Sequence, residues 1–190
     1  MQINAKLSKD KRIEIAAEEI FSKYGYEKAT LDQIISLADV GKGTVYKYFG
    51  NKEQLFYKLV SAKNEPFVEA LRVAVESESE LKDKLTAYFK VMVEFYQKNC
   101  ALWQIIYYEM LNDTHCTVVF DAEDNAQVIS RYSEDTVSDE VKERFLRYHN
   151  LLTSEFEILY KIVVDGMKEG TLKSGNARIA GSHLFFGVAM

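Results

Sequence analysis

Backbone breakers are almost absent from this chain: its 190 residues include one proline, Pro66, and nine glycines. Proline removes a backbone donor and crowds the preceding turn, so a chain nearly free of it can run in long helices wherever its apolar residues keep step. Ile13, Ala16, Ala17, Ile20, Phe21 and Tyr24 fall at i, i+3, i+4, i+7, i+8 and i+11, which predicts a first helix. Ser8 or Asp10 can cap its start, and Gly25 stands where a left-handed C-terminal cap belongs.

Thr30-Leu31-Asp32-Gln33 reads as a capping box opening a short helix with Leu31, Ile34, Ile35 and Ala38 on one face. After Asp39-Val40-Gly41 a third helix runs through Thr44 to Phe49, in which only Val45 and Phe49 suit a core. Asn51 is the expected N-cap of a fourth helix with Gln54 at its third position, carrying Leu55, Phe56, Leu59 and Val60 inward and meeting Pro66, which ends or kinks it. Four more amphipathic helices are expected: one from Leu81 to Tyr96, one around Leu102 to Met110, a long one from Val141 to Met167 near Gly170, and a last one from Asn176. Residues 112–136 are acidic and weakly periodic and fit no element, and no alternating strand pattern stands out. The expected fold class is all-α. The last helix stops on Leu184, Phe185 and Phe186, so either the chain is truncated there or that helix does double duty.

Composition narrows the function. Hydrophobic residues at 47% and charged residues at 28% are those of a globular protein, and no apolar run reaches the roughly 18–20 residues that cross a bilayer. Cys100 and Cys116 lack metal-site or disulfide-framework spacing, and no secretory signal opens the chain, so the expected compartment is the cytoplasm. His115 beside Cys116, with His149 and His183 isolated, makes no metal site. Gly41-Lys42-Gly43-Thr44 has the letters of a phosphate loop without its spacing, and no catalytic motif appears, so neither enzyme activity nor a cofactor is expected. The net charge of −5 divides unevenly: residues 1–63 hold 11 Lys/Arg against 8 Asp/Glu, the remainder 13 against 21. A basic head on an acidic body points to a surface-binding module joined to something else.

The second and third helices, joined by about four residues, form a helix-turn-helix, whose second helix enters a DNA major groove. Val45 and Phe49 would anchor it, leaving Lys42, Gly43, Thr44, Tyr46, Lys47 and Tyr48 toward the groove and its rims. Thr30 and Lys52, at two further helix N-termini, complete the expected DNA-contacting set through phosphate oxygens.

The order Ile20-Phe21, Gly25-Tyr26, Ala29-Thr30, Ile34, Ala38, Val40, Lys42-Gly43-Thr44-Val45-Tyr46, Tyr48-Phe49, Lys52-Glu53 and Leu55 closely resembles the tetracycline-repressor (TetR) family of bacterial regulators over about residues 10–58. Two departures stand in the turn: Asp39-Val40-Gly41 replaces the family's Gly then Val-Ser, and Gly41 brings no capping hydroxyl. The resemblance implies a DNA-binding domain over residues 1–50 and a helical ligand-sensing, dimerising domain over 51–190. It further implies a homodimer on palindromic double-stranded DNA, released by a small-molecule effector that alters the spacing of the heads. Pro66 would mark the bend through which that coupling runs, or simply a helix end. For the effector pocket the aromatic candidates are Phe89, Trp103, Tyr107, Tyr108, Tyr148, Phe156 and Tyr160, which suit a flat, hydrophobic or cationic ligand. The competing reading is a helical carrier or enzyme whose head no longer binds DNA.

Overall fold

The computed structural model describes residues 3–111, 116–120, 126–130 and 138–189. These form seven α-helices: α1 (Lys9–Lys28), α2 (Leu31–Ala38), α3 (Lys42–Phe49), α4 (Lys52–Glu76), α5 (Leu81–Ile105), α6 (Asp139–Lys168) and α7 (Ala177–Ala189). A π-helical turn over Ile106–Leu111 continues α5. An antiparallel hairpin, β1 (Cys116–Phe120) with β2 (Ala126–Ser130), pairs Val118 with Val128 at its centre. The hairpin occupies the stretch that fits no helical period, and the all-helical expectation holds for the rest. His115 lies outside the described residues.

The chain forms two compact units: residues 1–63 with 101–145, and residues 64–100 with 146–190. The division inside α4 falls at Lys63/Asn64, two residues before Pro66. The helix continues past the proline to Glu76, so Pro66 does not end it.

In the first unit the α1 stripe is buried as expected from Ile13 to Phe21, but Tyr24 is exposed. Gly25 is the reason: at φ 76°, ψ 176° it takes a backbone conformation open essentially only to glycine, breaks the helix, and turns Tyr26 inward in place of Tyr24. This is not the left-handed cap expected there. Tyr26 then joins Phe21 and Phe56 in a ring cluster with centroids 4.9–5.9 Å apart.

The second unit packs Phe67, Leu71 and Val75 of α4, Tyr88 and Met92 of α5, Leu159 and Ile162 of α6 and Phe185 of α7 into one core. The two helices expected between Leu81 and Met110 are a single α5 with its π-helical extension, because nothing between Tyr96 and Leu102 breaks the backbone. Asn176 caps α7 through its side-chain oxygen, which accepts the Ile179 N–H at 3.0 Å.

Candidate nucleic-acid interface

The α2–turn–α3 unit is built by short-range chemistry. Thr30 Oγ1 accepts the Gln33 N–H at 3.2 Å while Gln33 Oε1 accepts the Thr30 N–H at 2.8 Å, a reciprocal capping box. Asp39 closes α2 in the left-handed conformation, φ 50° and ψ 56°, one of the few residue types that tolerates it, so the turn survives without the family's glycine. Arg12 of α1, its side chain largely buried, donates from Nη2 to the Asp39 carbonyl oxygen and to its carboxylate at 3.0 Å. Sequence reasoning did not single out Arg12: the pair is 27 residues apart, and only a lone arginine beside the apolar stripe hinted at it.

Helix α3 is anchored by buried Val45 and Phe49, as their spacing implies. Gly41 leads into it with no side-chain cap. Its other face is open: Tyr46 and Tyr48 are 46% and 45% exposed, Lys42 and Lys47 are exposed, Thr44 is half-buried, and a Cβ placed on Gly43 would meet nothing within 4 Å. Lys42 pairs with Asp32 at 3.3 Å across exposed surface, an ion pair worth about 0–1 kcal/mol that leaves its charge available to a phosphate. The C-terminus of α3 is held by Lys58, which donates to the Tyr48 carbonyl at 2.7 Å and lies 5.2 Å from the Phe49 ring centre.

Lys52 is engaged differently from the phosphate contact expected of it. Its ammonium donates to the carbonyls of Tyr26 (2.9 Å), Ala29 (3.2 Å) and Glu27 (3.4 Å), and sits 4.3 Å from the centre of the Tyr26 ring. An ammonium has three donors, so the carbonyls left open by the break at Gly25 absorb them. Burial pushes the Tyr26 hydroxyl up to about 12, so the ring beneath Lys52 stays neutral. From the π-helical turn, Glu109 reaches the same corner: its Oε2 accepts the Glu27 N–H at 2.9 Å, and a Cβ on Gly25 would stand 2.8 Å from its Oε1. Neither role has a sequence signature, since the partners lie 25 and 82 residues apart.

The aromatic candidates for an effector pocket divide between the units. Trp103, Tyr107 and Tyr108 belong to the first; Phe89, Tyr148, Phe156 and Tyr160 belong to the second. Trp103 and Tyr148 are buried, whereas Tyr108 is 68% exposed and does not line an interior. Among the described residues no group of His, Cys, Asp or Glu is placed to hold a metal ion, and no helix is long and apolar enough to cross a membrane.

Residues 15–59 match the family model described as bacterial regulatory proteins, tetR family, and that span contains α2, the turn, α3 and the start of α4. Over that span the chain carries a tetR-family region. Its relatives include two proteins of Bacillus subtilis. The HTH-type transcriptional regulator YhgD is 27% identical over 168 residues, 88% of this chain and 73% of that protein. The fatty acid metabolism regulator protein is 26% identical over 171 residues, 90% and 74% respectively. In fold the chain is similar to the fatty acid degradation regulator FadR of Bacillus halodurans, with a TM-score of 0.71 at 20% identity over 98% of this chain and 82% of that one. FadR of B. subtilis in complex with stearoyl-CoA superposes with a TM-score of 0.69 at 21% identity, covering 94% and 82%. The relatives that run along nearly the whole chain are transcriptional regulators, and the reading as a DNA-binding regulator is favoured over a carrier or enzyme with an inert head.

Proposed function

We propose that this regulator is a homodimeric repressor that binds a palindromic operator through α3 and is released by a small molecule held in the second unit. One observation carries the DNA reading: α3 keeps two side chains, Val45 and Phe49, in the core and turns lysines and tyrosines to solvent. A helix packed for stability alone has no use for that face. Tyr46 and Lys47 are assigned to the groove, with Thr44 beside them. Lys42 and Tyr48 reach phosphates at its rims, and Gly43 permits close approach of the backbone. Thr30 keeps its hydroxyl hydrogen for a phosphate at the start of α2. Lys52 supports the interface from behind, through the Tyr26–Ala29 carbonyls.

Two such helices must lie about 34–36 Å apart to enter successive major grooves, so a ligand that changes their spacing by several ångströms releases the DNA. The FadR structure with stearoyl-CoA supports a ligand site in this fold, and Phe89, Tyr148 and Phe156 are the second unit's aromatic candidates for it. The chain carries out no catalysis in this reading and acts in the cytoplasm, where bacterial DNA lies.

The test is fluorescence anisotropy with the DNA upstream of the chain's own coding region, at two salt concentrations, beside a scrambled duplex. Tight, salt-sensitive binding that prefers the upstream DNA is expected. Equal affinity for both duplexes at low salt overturns sequence-specific regulation from that site.

A further inference from the structure

Glu155 of α6 is completely buried in the second unit, against a core otherwise built of apolar and aromatic side chains. Tyr96 of α5 donates its hydroxyl hydrogen to Glu155 Oε1 at 2.8 Å, and Tyr88, two turns earlier, donates to the Glu155 backbone carbonyl at 3.0 Å. The other carboxyl oxygen, Oε2, has no hydrogen-bond partner among the described residues. On the same side of α6, Asn64 of α4 is 6% exposed; its Nδ2 donates to the Leu151 carbonyl (3.1 Å) and to Ser154 Oγ (3.2 Å). Its Oδ1 is likewise a buried acceptor with no partner among the described residues.

A buried polar atom left without a partner costs about 1–3 kcal/mol, and two of them on one α6 face, in a unit that could have filled the space with leucine, call for an occupant. Asn64 Oδ1 is an acceptor, and the carboxyl offers two more acceptors once it ionises, which an approaching cation favours. A cationic donor therefore satisfies both groups, whereas a bare hydrocarbon would leave both oxygens as they are. An ammonium group carries three donors. Aromatic faces that favour a cation stand at the same place: Phe67 stacks on Phe95 at 3.8 Å between centroids, and Tyr96 meets Phe67 edge-on at 6.4 Å. Phe95 and Tyr96 are only half-buried, so solvent reaches part of each ring.

We propose that Glu155, with Tyr96 and Asn64, is the polar recognition point of a ligand site for a cationic amine carried on an aromatic or apolar frame. The site deepens the reading of the second unit as the effector-binding part and rests on it. It also sets this chain apart from the neighbour seen with stearoyl-CoA, because an acyl chain laid against Glu155 would leave the carboxyl unsatisfied.

The test is calorimetric titration of the full chain with naphthylmethylamine and with naphthylmethanol, which share a frame and differ in charge. No DNA is present, so the outcome is independent of operator binding, which is measured separately on the same samples. The amine is expected to bind about tenfold or more tightly than the alcohol. Glu155→Gln, which keeps an acceptor for Tyr96, abolishes that preference and leaves operator affinity without ligand unchanged. Tyr96→Phe, a second variant that leaves the carboxyl in place, narrows the preference without abolishing it. Equal binding of amine and alcohol, absence of binding by both, or a preference that survives Glu155→Gln overturns the proposal.

Discussion

Around the recognition helix, polar side chains end on backbone groups. Thr30 and Asn51 cap the helices that follow them, Arg12 holds the Asp39 carbonyl, Lys52 takes three carbonyls and Lys58 takes that of Tyr48. In the second unit the reverse is found: Glu155 and Asn64, far better buried, each keep an oxygen with no donor among the described residues. The contrast separates two tasks. A DNA-reading helix must be fixed before DNA arrives, so its supports bond the backbone from within the fold, although Arg12 Nε itself has no partner among the described residues. In the proposed reading, the second unit's interior holds polarity in reserve for a ligand that would complete it.

The largest effect expected is on DNA. Tyr46→Ala combined with Lys47→Ala should remove operator binding, each side chain being worth about 1–3 kcal/mol to recognition, with thermal unfolding almost unchanged because both point to solvent. An unaltered affinity in anisotropy would remove α3 from its assigned role.

Next is the pH dependence of the second unit. Burial raises the Glu155 carboxyl to about 8, against which the Tyr96 hydrogen bond works only in part. A raised carboxyl favours the folded state fully below the range where the unfolded chain's carboxyl titrates, near pH 4–5, and loses that contribution as pH rises through about 8. Relative to Glu155→Gln, the wild type should therefore lose stability across this window by up to about 1.4 kcal/mol per pH unit. Urea unfolding of both proteins at pH 5 and pH 8 measures it, and parallel stabilities at the two values would mean that Glu155 ionises normally.

Lys52→Met tests the head's self-sufficiency. If the ammonium serves the Tyr26–Ala29 carbonyls, unfolding shifts by about 1.5–3 kcal/mol and the salt dependence of DNA binding keeps its slope. A slope flatter by about one, with stability intact, would return Lys52 to the phosphates. Thr30→Ala should destabilise the first unit by about 1 kcal/mol in chemical denaturation through loss of the capping box. The smallest change is a gain: Gly41→Ser should add a few tenths of a kcal/mol and tighten operator binding slightly, since α3 begins without a side-chain cap.

Much of the DNA-reading part was legible from residue order because its determinants are local. The Thr30–Gln33 box, the Asn51 cap, the αL turn at Asp39 and the Val45/Phe49 anchors each involve residues within about one turn of one another. Local rules misled where a long-range interaction outbid them. Gly25 stands where a cap belongs, but Tyr26, turned into the Phe21–Phe56 cluster, makes it a sharp break. Lys52 sits at a helix N-terminus that favours phosphate, and three carbonyls 23–26 residues away also hold it, which residue order does not reveal.

The acidic body was likewise a property of sequence order alone. The acidity is concentrated in residues 101–145, with 10 Asp/Glu against 3 Lys/Arg, and that stretch belongs to the same compact unit as the basic head. Residues 64–100 and 146–190, which form the other unit, hold 11 Asp/Glu against 10 Lys/Arg and are nearly neutral.

Residue order alone makes this chain helical, sets where most of its helices start and stop, and marks which helix presents lysines and tyrosines outward. Periodicity and capping act over three or four residues and leave their mark in the order of side chains. It took long-range packing to make Arg12 and Glu109 brace the head and to make Glu155 the fully buried carboxyl among the described residues. Those roles depend on which distant residue arrives opposite, and packing, rather than any local spacing, settles that.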